Sequence, residues 1–393
     1  MSLIVEQKVL NGWSQLKTHS DAIAYSERPA HVLVEEKNCG ALSKDPIKVL
    51  YGVQGTGNGH ISRAGAMNKA LAELNKFQVS WIMSGRPHEK IMCCEEYDWY
   101  RGMTFATNNG KIEILNTIAG NNVFQFIRDV RKLCLDNYDL IITDFEPVVS
   151  WAAKKQGRKT IGIGHQYAFY HSVPVVGKNR FSELTMKYFA PADIKLGLHW
   201  HHFGQPILPP IVDMHAVSLD QQVVPDKVLV YLPFENQDKL MQLLKELPQW
   251  NFYIYSSEME DYNRGNIHTR AISKTGFKND LVTASALITN SGFELISECL
   301  MLGKRILTKP LLGQIEQLSN AQALSELDYA TVISEFSLKA ISQWLESPGK
   351  AYRVQYPDVA KAIAHWINDN QRQSIEDLSC DLWQQTSVKR MIV

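Results

Sequence analysis

Residues 286–321, ALITNSGFELISECLMLGKRILTKPLLGQIEQLSNA, concentrate groups suited to an anionic, hydroxyl-rich ligand. ALITN reads as a strand ending at Ser291-Gly292, and FELISECLMLG has the apolar spacing of a helix that closes at Gly303. A helix opening directly after a strand presents free amide N–H groups and the positive end of its dipole, which favours an anion such as a diphosphate. Gly292 permits close approach, and the Ser291 hydroxyl can donate as well. Glu298 lies about two helical turns beyond Ser291, where a carboxylate can accept two hydroxyl hydrogen bonds from a ribose. After the strand RILTKP, the loop offers the amides and carboxylate of Gln314, Glu316 and Gln317 to a polyol. Any one of these features suits an ordinary strand–helix unit with a surface glutamate. The ordered set is much harder to obtain that way.

A second cluster lies near the other end of the chain. Gly55-Thr56-Gly57-Asn58-Gly59-His60 follows an apolar strand and opens a helix. A dinucleotide fingerprint beginning at Gly55 requires its third glycine where His60 stands, and the strand FQVSWIM ends without the acidic residue that holds a ribose. A nicotinamide or flavin enzyme is therefore not expected. An imidazole in this place can take a proton from a hydroxyl, and a carboxylate beside it would fix its tautomer. The strand DLIITDFEP supplies two acids, Asp144 and Glu146; Asp144 equally suits a helix N-cap ahead of Pro147. His165 and Gln166 follow the next strand and face the same cleft, where they either touch the acceptor, as Glu146 also could, or satisfy a loop. His199, His201 and His202 lack metal-like i, i+4 spacing and read as a strand or exposed turn; with no Asp-x-Asp in the chain, no metal is expected.

The segment 286–321 resembles the donor-binding region of GT-B glycosyltransferases, the group containing MurG and UDP-glucuronosyltransferase-like enzymes, and is most similar to an uncharacterised bacterial and archaeal branch. The resemblance implies Ser291 and Gly292 at the diphosphate, Glu298 at the ribose, Glu316 and Gln317 at the donor sugar, and Phe277 beside the base. It also implies that Gly57 and Gly59 let the phosphates approach, that His60 is the base, and that Asp144 is its partner, with Glu146 a rival for either role. One departure is the turn itself, where many relatives have two glycines and this chain has Ser291 before a single Gly292. The implied reaction is inverting, metal-independent transfer from a nucleotide sugar, UDP by resemblance alone, to an acceptor hydroxyl on a sugar, lipid-linked sugar or small molecule. The nucleotide sugar is a substrate, and no cofactor is expected. A nucleotide-sugar epimerase or hydrolase of the same fold, and a non-catalytic binding protein, stay open as alternatives.

Positioning these groups requires two α/β units. IKVLYGV, FQVSWIM, DLIITDF and KTIGIG alternate with helical segments, and their nearly unbroken apolar character implies a parallel sheet covered on both faces. HHFGQPILPPIVD, with three prolines, suits a stiff crossing, after which KVLVYLPF, NFYIYSS, ALITN and KRILTKP start a second series. The expected fold is thus α/β, two Rossmann-like doubly wound parallel-sheet domains, 46–210 and 211–393, facing a central cleft. Terminal helices after about 335, without a further strand, are free to return to the first domain. Residues 1–45 carry no assignable role; a helix near the start and a strand at Ala30–Val34 are the only elements expected there.

At 393 residues the chain suits two cores. Lys plus Arg equals Asp plus Glu at 41 each, which argues against a nucleic-acid binder. The six cysteines, including vicinal Cys93–Cys94, show no Cys-x-x-Cys pairing and point to a reducing cytoplasm. No run of about 18 apolar residues occurs, so contact with a membrane would be peripheral, at its inner face. Basic residues Lys178 and Arg180 carry only a weak functional signal.

Overall fold

A computed structural model describes residues 45–86, 96–104, 107–108, 111–112, 122–177, 187–213, 221–257 and 259–392. The expectations on residues 1–44, on Cys39, Cys93 and Cys94, and on Lys178 and Arg180 lie outside the described residues.

The N-terminal half runs β1 (Ile47–Gln54), α1 (Asn58–Glu73), β2 (Phe77–Ser84), β3 (Asp98–Tyr100), α2 (Val123–Lys132), β4 (Leu140–Asp144), α3 (Pro147–Gln156), β5 (Ile161–Gly164) and β6 (Ile194–Gly197). Its sheet order is β3-β2-β1-β4-β5-β6, every pairing parallel. The order reverses beside β1, so the ends of β1 and β4 flank a natural ligand crevice. Burial of β1 from Val49 to Gln54 and of the whole of β5 explains why these strands are apolar without alternation.

The C-terminal half repeats the plan with β7 (Val224–Tyr231), α4 (Gln237–Lys245), β8 (Asn251–Tyr255), β9 (Tyr262–Arg264), β10 (Ile267–Arg270), α5 (Lys274–Thr283), β11 (Ala284–Asn290), α6 (Phe293–Leu302), β12 (Arg305–Lys309), α7 (Ile315–Glu326) and β13 (Thr331–Val332). The sheet order is β9-β10-β8-β7-β11-β12-β13, parallel except for the antiparallel edge strand β9. Gly303 stops α6 in the left-handed conformation, φ 69°, and its N–H reaches Leu300 O.

The tail corrects one expectation. Beyond α8 (Leu338–Glu346), strand β14 (Lys350–Gln355) pairs antiparallel with β15 (Ser387–Ile392), enclosing α9 (Val359–Asn368) and α10 (Ile375–Gln384). Each strand has six residues and gains its partner only after the chain has passed through two helices, so no local hairpin signal marks it. Helix α9 packs on α1, while Ser379 Oγ and Trp383 Nε1 both donate to Ile207 O, at 2.8 and 2.6 Å. The tail thereby ties the second half to the first.

The largest apolar cluster is continuous through both halves, from Met67 and Leu71 through Trp200 to Phe293, Ile296 and Ile363. Trp200 is fully buried and donates its indole N–H to Ser297 Oγ on α6 at 2.8 Å. Truncating such a side chain typically costs about 3–5 kcal/mol, so the two halves share a substantial part of their packing energy. The neighbouring His199 and His202 are buried in an irregular segment, which corrects the reading of a strand or exposed turn.

Candidate active site

Helix α1 starts after Gly57, which makes no side-chain capping bond, leaving its first amides uncapped where β1 ends. His60 and Arg63 stand one turn apart on this helix. Asp144, at the end of β4, meets both. Its Oδ1 lies 2.7 Å from His60 Nδ1, and Arg63 donates from Nε to Oδ2 at 2.7 Å and from Nη2 to Oδ1 at 2.6 Å. A carboxylate only accepts, so the His60 contact requires the proton on Nδ1 and leaves the Nε2 lone pair available. Asp144 is fully buried and Arg63 is 2 % exposed, whereas the His60 side chain retains 13 %. Burial acts to raise the Asp144 carboxyl, but the charges and hydrogen bonds of Arg63 and His60 outweigh it and hold it below the ordinary carboxylate value.

The rivalry between Asp144 and Glu146 has a backbone answer. Phe145, between them, adopts φ 52°, a left-handed conformation unusual for an aromatic residue. The two flanking acids consequently face different surroundings. Glu146 caps α3, its carboxylate accepting from the amides of Val148 and Val149 at 2.9 and 2.7 Å and from Ser84 Oγ at 2.6 Å. The N-cap is therefore Glu146, and Asp144 is left to His60 and Arg63. Burial pushes the Glu146 carboxyl up to about 7, against the pull of those three hydrogen bonds.

On the other side, α6 also begins without a side-chain cap, at Gly292. The Ser291 hydroxyl is buried and bonds Thr308 Oγ1 at 2.9 Å, either oxygen being able to donate, while Ser291 O accepts from Asn320 Nδ2 at 3.0 Å. The serine expected at a diphosphate thus already has one hydroxyl partner within the C-terminal half, beside the opening amides of α6. Glu298 is buried beside Lys278, whose Nζ lies 3.1 Å from its Oε1. Phe277 packs edge-on against Tyr231 and Tyr255, at centroid distances of 5.4 and 5.0 Å.

Helix α7 starts at the uncapped Gln314, whose Oε1 is buried without a hydrogen-bond partner. Gln317 turns back to accept the Leu311 amide at 3.0 Å, an internal loop contact. Glu316 accepts from Gln166 Nε2 at 3.1 Å across the two halves. His165 stacks flat on Phe293, 3.9 Å between centroids and 4° between planes, with Nε2 2.7 Å from Asn320 Oδ1 and Nδ1 2.8 Å from Leu198 O. Burial holds its imidazole below the usual histidine value. His165 Nε2 and the Gln166 amide N–H₂ thus bond across the two halves, while His165 Nδ1 is held within the N-terminal half by Leu198 O.

Two residues that the motifs did not single out complete the arrangement. Arg63 Nη1 donates to Glu294 Oε1, in the first turn of α6, an ion pair across the two halves between residues 231 apart in sequence. Gly59 makes this approach feasible, because a Cβ there would lie 2.4 Å from Glu294 Cγ. Gly57 is less constrained, its nearest neighbour being His60 Cδ2 at 3.5 Å. The only available signal for Arg63 was its place one turn after His60. Among the described residues, no group of three or more His, Cys, Asp or Glu side chains is placed to hold a metal ion, and no helix is long and apolar enough to cross a membrane.

Paired doubly wound parallel-sheet domains with this crevice are the GT-B fold. Residues 47–347 match glycosyl transferase family 1, and the chain belongs to that family. No curated protein matches it in sequence. Among solved structures it is similar to the glycotransferase of kitacinnamycin, at 13 % identity and a TM-score of 0.54 over 87 % of this chain and 100 % of that one. It is also similar to a UDP-glucosyltransferase from Polygonum tinctorium capable of glucosylating indoxyl, at 11 % identity and a TM-score of 0.54 over 86 % of this chain and 95 % of that one. The glycosyltransferase SsfS6 of Streptomyces sp. SF2575, complexed with thymidine diphosphate, is 11 % identical with a TM-score of 0.50 over 86 % and 96 % of the respective chains. At these identities the likeness is one of fold.

Proposed function

We propose that this glycosyltransferase moves a sugar from a nucleoside diphosphate sugar to an acceptor hydroxyl, with inversion and without a metal. The observation that carries the reading is the His60–Asp144 pair at 2.7 Å, placed at the uncapped start of α1 and joined through Arg63 to the uncapped start of α6. His60 Nε2 takes the acceptor O–H proton while that oxygen forms its bond to the anomeric carbon. The bond from that carbon to the diphosphate oxygen breaks, and its electron pair leaves with the nucleotide toward the α6 amides. Attack opposite the departing group inverts the centre. Asp144 holds the tautomer and stabilises the imidazolium.

Glu298 is assigned to the ribose hydroxyls and Phe277 to the base edge. Gln314, with its unsatisfied carbonyl oxygen, and Glu316 are assigned to the donor sugar. UDP is the first nucleotide to test, since one similar structure is a UDP-glucosyltransferase, and thymidine diphosphate the second. The exposed free thiol of Cys134 suits a reducing compartment. Thermal shift with UDP, thymidine diphosphate and GDP tests the reading: at 100 times Kd a ligand adds about 2.7 kcal/mol of stability. A shift with at least one nucleotide is expected; no shift with any would contradict the donor site. Release of nucleotide from its sugar without acceptor would redirect the reading to hydrolysis or epimerisation.

A further inference from the structure

We propose that Arg63 is a positioning residue through which Glu294 of the C-terminal half fixes the Asp144–His60 pair, an inference that rests on the glycosyl-transfer reading above for its consequence but not for its test. Asp144 Oδ1 has two suitors, His60 Nδ1 at 2.7 Å and Arg63 Nη2 at 2.6 Å, and Arg63 Nη2 itself lies 3.0 Å from His60 Nδ1. Both are N–H donors toward one oxygen, so a small rotation of the guanidinium changes how much of that oxygen the imidazole keeps. A guanidinium is rigid and planar, and its N–H directions move together. The donation from Nη1 to Glu294 therefore fixes the orientation of the fork on Asp144.

Glu294 sits in the first turn of α6, the helix assigned to the departing diphosphate. Gly59, on the helix that carries His60, is the surface it packs against. The seating of α6 on α1 is thus read by one buried side chain, Arg63, and passed to the base as the share of Asp144 Oδ1 that the imidazole keeps, and so as the strength and direction of the His60–Asp144 bond. Without Glu294, Arg63 remains on Asp144 but loses the contact that orients it.

The test needs no substrate. In protein labelled with 15N-histidine, the Nδ1–H of His60, bonded to a buried carboxylate, gives a downfield imidazole resonance that is assigned by its loss in His60→Ala. Glu294→Gln is expected to shift or abolish this resonance and to speed its exchange with water, and Glu294→Asp to restore it in part. Gly59→Ala, whose new Cβ displaces Glu294, is expected to act in the same direction. Thermal unfolding of each variant separates a folded protein from a collapsed one. An unchanged resonance and exchange rate in folded Glu294→Gln and folded Gly59→Ala would overturn the proposal, whatever reaction the enzyme catalyses. Turnover of UDP-glucose by the same variants then reads the glycosyl-transfer assignment separately: activity retained in His60→Ala would refute that assignment and leave the Arg63 coupling standing.

Discussion

Replacing Asp144 by asparagine should damage stability as well as activity, and the size of the stability loss follows from the bonds the carboxylate makes. The carboxylate is fully buried and receives Arg63 Nε and Nη2 and His60 Nδ1 at 2.7, 2.6 and 2.7 Å. Asparagine keeps one acceptor, turns an N–H₂ toward a donor, and leaves the buried Arg63 cation without an anion on that side. Breaking a buried pair in this manner typically costs about 3–5 kcal/mol. For a unit of about 150–250 residues that lowers the melting temperature by roughly 6–20 °C. The pH dependence has a definite sign. Because the folded carboxyl is held below its ordinary value, its contribution is fully present above the unfolded pKa and fades as pH falls through the folded one. The stability gap between wild type and Asp144→Asn should therefore be flat from pH 7 to pH 5 and shrink only in more acidic solution. Urea unfolding at a series of pH values measures it, and equal stability of the two proteins at pH 7 would refute the buried-network argument.

Further outcomes follow from neighbouring groups. The Glu146 carboxyl, raised to about 7 by burial, should make wild type lose stability relative to Glu146→Gln as pH climbs from about 4.5 to 7, by about 1.4 kcal/mol per unit and roughly 3 kcal/mol in all; paired denaturation curves test the slope. Lys278→Met removes the cation beside buried Glu298 and should cost about 3–5 kcal/mol together with nucleotide affinity, seen by calorimetric titration with UDP.

Unbroken apolar strands alternating with helices made two doubly wound units legible, since buried parallel strands cannot hide their composition. His60 was legible for a similar reason: a failed glycine fingerprint leaves an imidazole at a helix start. The choice between Asp144 and Glu146 was not, because it depends on the left-handed turn at Phe145, which an aromatic residue does not announce. Ser291 had a hydroxyl of the right kind, but its bond to Thr308, 17 residues away, leaves no local signal. Arg63 and Glu294 look like ordinary surface charges on helices until the two halves meet. Contacts between distant segments, including β14 with β15, leave no local pattern, and for that reason the bonds by which His165 and Gln166 join the halves could not be read from their place after a strand.

The most direct test of the central claim compares wild type with His60→Ala in two assays on the same preparation, nucleotide release during transfer and UDP affinity. Loss of a positioned general base should slow transfer by about 10²–10⁴-fold while UDP binds as before, because the α6 amides remain in place. Transfer at the wild-type rate by His60→Ala, with UDP binding intact, would contradict the assignment of His60 as the base.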